Sequence, residues 1–195
     1  MHQSPPAPRA LVLGSTSPYR RELLQRLRLP FTVAAPDVDE TPQPGEAPQA
    51  LALAKARAVA AQHPEAVVIG SDQVADLAGH ALGKPGTHER ATQQLRQMSA
   101  QTVVFQTAVA VVCQATGFEQ VELAAVEVRF RPLNDGEIER YLHAEQPYDC
   151  AGSAKSEGLG ISLLDAIASD DPTALVGLPL IRTCRMLRAA GLVLP

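Results

Sequence analysis

Residues 10–24 read ALVLGSTSPYRRELL, and this stretch decides the fold class. The apolar run Ala10 to Gly14 predicts a short strand, and the leucines that follow Pro18 at helical spacing predict a helix to about Leu27. Ser17 can cap that helix, and proline suits its first position. A strand, a polar turn and a helix in this order are typical of phosphate sites in α/β proteins.

The remainder of the chain continues the mixture of strands and helices. Apolar runs predict strands at 31–35 and 66–70, and a hairpin of 103–112 with 121–130 through Thr116-Gly117. Further helices are predicted at 49–62, from a cap at Thr87 to about 98, from a cap at Asn134 to about 144, and from Pro179 to Gly191. Distant and hairpin-linked strands together predict an α/β protein with a mixed, twisted sheet and flanking helices.

Composition bounds the size and the partners of the protein. With 195 residues, 46% of them hydrophobic, the chain can bury one substantial core, so we predict a single domain at 10–195 after a disordered, Pro-rich extension at 1–9. A net charge of -4 argues against nucleic acid as a partner. No apolar stretch reaches the length of a membrane span. Three cysteines without paired spacing favour a reducing cytoplasm.

The start of the first predicted helix is the strongest candidate for binding phosphate. Its free backbone N–H groups favour an anion, whereas Arg20 and Arg21 are unfavourable there with respect to the helix dipole alone. A bound phosphate would reverse that penalty and would also engage the hydroxyls of Ser15 and Ser17. The alternative is that both arginines are solvated and Ser17 is an ordinary helix cap.

Two acidic segments follow predicted strands. Asp72, in Gly70-Ser71-Asp72-Gln73, is expected at the carboxyl end of a buried strand, where α/β proteins bind ligands. It could hold a metal ion or accept a proton from water, or it could close an Asx turn. Asp37, Asp39 and Glu40 follow the second strand and could supply another carboxylate for magnesium. For Asp37 a solvated loop is the favoured interpretation.

Only three of the 17 basic residues are lysines, and each is a candidate for a required point charge. Lys55 lies on the same helical stripe as Leu51 and Val59, so its ammonium needs a partner such as a triphosphate, or it must extend to solvent. Lys84 and Lys155 stand among small residues that allow close approach of a ligand. Neither segment matches a P-loop. The histidines are assigned no role.

Together these segments resemble the Maf family of nucleoside triphosphate pyrophosphatases, from about Ala10 to Gly191. The matching motifs, in order, are STSPYRRELL at 15–24, DVDET at 37–41, LALAKA at 51–56, GSDQV at 70–74, GKP at 83–85, AGSAKSEGLG at 151–160 and VGLPL at 176–180. The resemblance implies an inosine-triphosphatase-like α/β fold with the substrate in a cleft between two lobes, and a divalent cation, Mg²⁺ or Mn²⁺.

The same resemblance implies roles for individual residues. Asp72 would be the proton acceptor, and the triphosphate would be surrounded by Arg20, Arg21, Glu40, Lys55 and Lys84. Tyr19, Gln73 and Glu157 occupy the positions that resemble the 7-methyl-GTP pyrophosphatase subgroup. Two positions depart from the family pattern: Ala100 and Ala108 stand where glycine is common. A backbone that needs positive φ at either position would be strained, since both carry a Cβ.

The expected activity is hydrolysis of a phosphoric anhydride. Water would attack the α-phosphate, with Asp72 as base or metal ligand, the cation bridging phosphate oxygens, and arginines and lysines neutralising the departing pyrophosphate. The alternative function is a nucleotide-binding regulator of cell division without turnover. The carboxylates favour the enzyme, because a sensor needs no base. The sequence leaves the oligomeric state open, a homodimer being one alternative.

Overall fold

The computed structural model describes residues 9–40 and 47–195, which contain seven strands and five α helices. The strands are β1 (Leu11–Gly14), β2 (Thr32–Ala34), β3 (Val67–Leu77), β4 (His80–Leu82), β5 (Thr102–Cys113), β6 (Phe118–Phe130) and β7 (Leu164–Ala168). The helices are α1 (Pro18–Gln25), α2 (Pro48–Gln62), α3 (His88–Met98), α4 (Asp135–Glu145) and α5 (Leu180–Ala189). Short 3-10 helices occur at Gln114–Thr116, Ala151–Ser153, Leu159–Leu163 and Pro172–Val176.

The strands form one mixed sheet in the order β2-β1-β3-β5-β6-β7, and β4 pairs with β3. β1 is parallel to both β2 and β3, whereas β3 with β4 and β6 with β7 are antiparallel pairs. β5 and β6 are neighbours joined by four residues, a connection short enough only for a hairpin. The predicted α/β class and mixed sheet are confirmed.

The structure corrects the predicted course of β3. The apolar run ends at Gly70, but the strand continues to Leu77, so Gly70 to Gln73 lie in its middle and not at its carboxyl end. The parallel partner β1 stops opposite Gly70, in the pair Gly14↔Gly70. Asp72 therefore lies beyond the carboxyl end of the neighbouring strand β1, although β3 itself continues past it.

The chain divides into two compact units. The first comprises Met1–Asp72, Ala108–Glu122 and Leu180–Pro195, and the second comprises Gln73–Thr107 and Leu123–Pro179. In the first unit the leucines and valines of β1, α1 and the amino-terminal half of β3 are buried. The second unit has its own apolar core, in which Phe105 and Phe130 are among the largest side chains.

Gly70 permits the contact that shapes the first unit. A Cβ at this position would lie 2.2 Å from the carbonyl oxygen of Ala52 and 2.7 Å from the backbone nitrogen of Ala56, both on α2. Any larger residue would push the helix away from β3, because neither contact involves a flexible side chain that could yield. The missing side chain thus lets α2 lie directly against the strand that carries Asp72.

The amino-terminal extension predicted at 1–9 lies outside the described residues except for Arg9, whose guanidinium donates to Glu65 Oε2 at 3.1 Å. Thr41 of the DVDET motif also lies outside them. Within the described chain, no helix combines the length and apolar character needed to cross a membrane.

Candidate active site

The first turn of α1 has the hydrogen-bonded polar cap that its sequence predicts. Ser17 is the N-cap, and its Oγ accepts from the backbone nitrogen of Arg20 at 3.4 Å. The hydroxyl of Ser15, which is 4% exposed, accepts from the backbone nitrogen of Ser17 at 3.2 Å and from the Arg20 guanidinium at 3.3 Å. Arg20 therefore folds back over the helix start, where an anion would meet N–H groups, a hydroxyl and a guanidinium together.

The charge of Arg20 is held in a partly buried position. Burial lowers the pKa of its guanidinium from the ordinary value, and the negative charges of Asp72 and Glu40 oppose that shift. Arginine is not deprotonated in proteins, so the side chain keeps its positive charge. The helix start is therefore a cationic position adjacent to two carboxylates.

Those carboxylates share the ammonium of Lys55. Its Nζ lies 2.9 Å from Glu40 Oε2 and 3.1 Å from Asp72 Oδ1. Lys55 is 3% exposed, whereas the side chains of Asp72 and Glu40 are 15% and 56% exposed. The ammonium is thus buried, whereas both carboxylates have access to solvent. The alternative that the Lys55 side chain extends into water is excluded.

The position of Asp72 follows from the alternation of side chains along β3. Gly70 faces α2, and Asp72, two residues further on, lies on the same face, so that it meets Lys55 of that helix. Ser71 between them is fully buried and points to the opposite face, where its hydroxyl donates to the carbonyl of Ala108 at 2.7 Å. This hydrogen bond from Ser71 fixes the backbone of β3 next to Asp72.

The set can perform acid–base and phosphate chemistry. Two carboxylates, one ammonium and one guanidinium have formal charges that cancel. A carboxylate oxygen can accept a proton from water, and the cations can neutralise phosphate oxygens. Carboxylates next to a cationic helix start are groups that hydrolysis of a phosphoric anhydride can use.

Comparison with known proteins identifies the family of this arrangement. The family model described as Maf-like protein matches residues 10–190. The chain belongs to the Maf-like protein family. A curated relative from a Polaromonas species is 76% identical over 193 residues, which cover 97% of this chain and 88% of the relative. A relative from Albidiferax ferrireducens is 70% identical, with 97% of each chain covered, and one from Bordetella pertussis is 58% identical, with 96% of each covered. All three relatives are named 7-methyl-GTP pyrophosphatase.

Within the first unit of the Maf-like chain, most of the predicted phosphate and metal residues come together. The interacting residues are Ser15, Ser17, Arg20, Glu40, Lys55 and Asp72. Tyr19 is half-buried on α1, and the side chain of Arg21 is exposed. Asp37 is exposed, as expected for a loop residue. The role of Arg21 in binding phosphate remains a prediction.

Gln73 begins the second unit, and its amide nitrogen is already engaged. Nε2 donates to Thr107 Oγ1 at 2.9 Å and to the carbonyls of Ala174 and Leu175, each at 3.0 Å. Thr107 donates in turn to the carbonyl of Ala174 at 2.8 Å, so its oxygen acts as an acceptor for Gln73 and the amide orientation is determined. The carbonyl oxygen is therefore the group that Gln73 would present to a ligand.

Lys84 is exposed in an anchored segment of the second unit. The carbonyl of the preceding Gly83 accepts from Gln94 Nε2 at 3.0 Å and from the backbone nitrogen of Gly152 at 3.3 Å. On the other side Pro85 is buried, and the backbone nitrogen of Gly86 donates to the carbonyl of Tyr148 at 3.0 Å. The backbone on both sides of Lys84 is thus fixed while its side chain faces solvent.

Glu157 is exposed in the Gly- and Ser-rich segment, close to a fixed ion pair. Lys155 Nζ lies 2.9 Å from Glu145 Oε1, and the other oxygen of Glu145 accepts from the backbone nitrogen of Leu159 at 2.7 Å. The Lys155 ammonium and this backbone hydrogen bond lower the pKa of Glu145 below its ordinary value. Glu145 therefore connects both ends of the segment that carries Glu157.

Two features of this site were not predicted from the sequence. The first is that Lys55 has carboxylate partners within the protein, where the sequence suggested a triphosphate as the partner. The second is the positioning role of Ser71, for which the only sequence signal is a hydroxyl next to an apolar strand. Glu40 and Lys55 are 15 residues apart along the chain, so local pattern does not show that they meet.

Proposed function

We propose that this chain is a nucleoside triphosphate pyrophosphatase that hydrolyses 7-methyl-GTP to 7-methyl-GMP and pyrophosphate. The observation that carries the proposal is the contact of Lys55 with both Glu40 and Asp72 in the same unit as the helix start of Arg20. The substrate is taken from the names of curated relatives that are 56–76% identical to this chain. Removal of a modified nucleotide from the cellular pool would be a house-cleaning activity.

In the proposed reaction water attacks the α-phosphorus, and the bond from that phosphorus to the oxygen bridging to the β-phosphate breaks. Asp72 accepts the proton of the attacking water, and pyrophosphate leaves with the electrons of the broken bond. Ser15, Ser17, Arg20 and Lys55 stabilise the phosphate charge from the first unit. Arg21 and Lys84 are further proposed phosphate ligands.

A divalent cation, Mg²⁺ or Mn²⁺, fits the donor set. Glu40 and Asp72 each have one oxygen on Lys55, and each carboxylate has a second oxygen to offer. Hard cations prefer such oxygen ligands, and magnesium is usually held by one or two carboxylates together with substrate phosphates. When bound, the ion would neutralise charge on the phosphate oxygens. Glu40 and Asp72 are the residues that would hold it.

The decisive experiment is a substrate panel with separate detection of the two products. The chain is incubated with 7-methyl-GTP, GTP, UTP and dTTP in the presence of magnesium or manganese, and monophosphate and pyrophosphate are identified individually. We expect equimolar 7-methyl-GMP and pyrophosphate. Binding of nucleotide without release of pyrophosphate from any substrate would favour a regulatory protein instead, and release of inorganic phosphate alone would exclude the proposed bond cleavage.

Asp72→Asn tests the base. We expect kcat to fall by about 10²–10⁴-fold while the fold and nucleotide binding are largely retained, because Lys55 keeps Glu40 as a carboxylate partner and the amide oxygen of asparagine can still accept from its ammonium. Asp76→Asn is the matched control on the same strand, because its Oδ1 accepts from the backbone nitrogen of Gly79 at 2.7 Å and an amide oxygen can do the same. Near wild-type kcat in Asp72→Asn would contradict the assignment.

The base preference is proposed to depend on Tyr19, Gln73 and Glu157. A 7-methylated guanine carries positive charge on its ring, so an aromatic face and carboxylate acceptors favour it. Replacing Glu157 with glutamine, or Tyr19 with arginine, should lower kcat/KM for 7-methyl-GTP about tenfold or more relative to UTP. The measurement is kcat/KM for 7-methyl-GTP, GTP and UTP on each variant. Parallel changes for all three would reject the base preference while leaving pyrophosphatase activity intact.

We further propose a cytoplasmic location, where such nucleotides occur. A homodimer remains a prediction, which light scattering of the purified chain would check.

A further inference from the structure

A cluster of two histidines and one glutamate lies in the second unit, on side chains that the proposed reaction does not use. We call it the His88–Glu139–His143 cluster. His88 is the first residue of α3, and Glu139 and His143 are one helical turn apart on α4. The potential ligand atoms of all three residues lie within 4.8 Å of one another. The fold thus brings together histidines that are far apart in sequence.

Two of the three distances are close to those expected between the ligands of one metal ion. Glu139 Oε2 lies 2.9 Å from His88 Nε2 and 3.5 Å from His143 Nε2. Nitrogen and oxygen ligands about 2.0–2.1 Å from a tetrahedral zinc ion stand about 3.3–3.4 Å apart. Two of the three separations therefore bracket the required value. The third pair involves His143, whose side chain is 75% exposed and can rotate toward the others.

A second layer of contacts orients the ligands. The hydroxyl of Tyr148 lies 3.0 Å from His88 Nδ1, on the side of the ring opposite Glu139. A tyrosine hydroxyl can accept or donate, so it can support the tautomer in which Nδ1 carries the proton and Nε2 is available. Thr92, which is buried, donates to the backbone carbonyl of His88 at 3.0 Å, and its Oγ1 lies 3.5 Å from Glu139 Oε1.

We propose that His88, Glu139 and His143 form a zinc site that joins the start of α3 to α4. Two imidazoles and one carboxylate are a ligand set that zinc accepts, and three protein ligands leave one tetrahedral position for water or another donor. Magnesium is not expected here, because it prefers oxygen ligands and octahedral geometry. The site does not depend on the proposed nucleotide chemistry, since Glu40 and Asp72 take no part in it.

The proposal is tested by titrating the metal-stripped chain with zinc in the presence of excess magnesium. Zinc binding is measured by calorimetry. We expect one zinc ion per chain at this site. His143→Ala and Glu139→Gln should each weaken zinc binding by at least about 100-fold. Losing a residue that only hydrogen-bonds to a metal ligand typically costs about 10–100-fold in affinity, and losing a ligand itself should cost more. His80→Ala, which removes an exposed histidine of β4, is the matched control and should bind as the wild type does.

Thermal unfolding supplies a second readout that separates binding from folding. Without zinc, His143→Ala should unfold at the wild-type temperature, because its side chain is mostly exposed. Zinc at a hundredfold excess over the wild-type Kd should raise the wild-type midpoint by about 5–10 °C and that of the variant by no more than about 1–2 °C. Zinc affinity and midpoint shifts that are equal in wild type and both ligand variants would overturn the proposal. Pyrophosphate release with magnesium should be unchanged in His143→Ala, so a failure here leaves the proposed function standing.

Discussion

Lys55 shows how one residue can determine a site that its own sequence neighbours do not reveal. The residues around it in LALAKA are apolar, and α2 buries it to 3% exposure. A buried ammonium is costly unless it is paired, and here both partners are carboxylates that keep contact with solvent. The pairing places positive charge beneath the two acidic groups and holds them side by side.

Replacing Lys55 with methionine should therefore affect both turnover and stability. The volume is retained, but Asp72, which is mostly buried, loses its partner, so the free energy of unfolding should fall by about 1–3 kcal/mol. kcat/KM should fall by about 10²-fold or more, because a preorganised charge is lost. The measurements are denaturant unfolding and pyrophosphate release.

The double variant Lys55→Met with Asp72→Asn distinguishes charge from packing. It should recover stability relative to Lys55→Met alone, because the unpaired carboxylate is gone, and it should stay inactive. Additive stability losses in the double variant would show that packing of the lysine stem, not charge pairing, dominates.

Ala100 is a residue whose backbone conformation its side chain disfavours. Ser99 has φ -54° and ψ 126°, Ala100 has φ 58°, and the backbone nitrogen of Gln101 donates to the carbonyl of Met98 at 3.0 Å. These are the features of a type II turn, whose third residue is normally glycine. The departure from the family pattern noted at Ala100 is therefore a site of local strain. Ala108, the other departure, lies within β5 and is buried.

Ala100→Gly should stabilise the protein by about 1 kcal/mol. The free energy gained by removing the strain of the left-handed conformation exceeds the free energy lost because glycine makes the unfolded chain more flexible. Ala108→Gly is the control: it should destabilise by about 1 kcal/mol, because glycine weakens a strand and loses a buried methyl group. Chemical denaturation of both variants checks the pair. A destabilised Ala100→Gly would show that strain at this turn is negligible.

Among the helices, α4 begins with a capping box, and the glutamate of that capping box makes the stability of the protein depend on acid pH. Asn134 Oδ1 accepts from the backbone nitrogen of Glu137 at 3.0 Å, and Glu137 Oε2 accepts from that of Asn134 at 2.9 Å, which completes a capping box. Glu137 also pairs with Arg131 at 2.8 Å. The backbone hydrogen bond from Asn134 and the contact with Arg131 lower the pKa of Glu137 below its ordinary value.

A lowered folded-state pKa fixes the direction of the pH effect. The stabilisation from the Glu137 carboxylate is fully present above its unfolded-state pKa, about 4.3, and is lost as pH falls through the lower folded-state value. Glu137→Gln should therefore flatten the acid limb of the stability curve below about pH 5. The measurement is the free energy of unfolding against pH, with the exposed Glu22→Gln of α1 as control. An unchanged acid limb in Glu137→Gln would contradict the role of this carboxylate.

Helices and strands whose sequence signals are local were predicted, and those without local signals were missed. The caps Ser17, Thr87 and Asn134 were predicted from sequence and are confirmed, since each depends on one side chain and the backbone three residues on. β4 and β7 were not predicted, because a three-residue strand and one with mostly exposed side chains have no apolar alternation to read. The extension of β3 was missed because polar residues follow Gly70.

In the candidate site, too, local contacts could be predicted from the sequence and long-range contacts could not. The contact between Ser15 and Arg20 lies within one turn and its approach, so helix-start reasoning could anticipate it. The contact of Lys55 with Asp72 spans 17 residues and depends on Gly70 allowing α2 to approach β3, which no local pattern specifies. The sequence could name the participants of the site, but their pairing depends on tertiary packing.

At the scale of the whole molecule, neither compact unit is a continuous stretch of chain. The first unit assembles segments from three places, and its last segment contains α5. Leu180, Thr183, Met186 and Leu187 bury one face of this helix, and Arg182 and Arg185 both form ion pairs with Glu122 of β6. α5 is therefore an integral part of the unit that carries Glu40, Lys55 and Asp72.

This segment order has a consequence for protein synthesis. Glu40, Lys55 and Asp72 leave the ribosome early, but the helix that completes their unit follows only after residues 73–179 have been made. At about 5–20 residues per second, translation would keep the early segments waiting for about 5 to 20 s. During the first part of that interval β3 also lacks its neighbouring strand β5. The nascent chain is then most exposed to chaperones and to aggregation, and the residues of the candidate site can reach their finished surroundings only after α5 has been made.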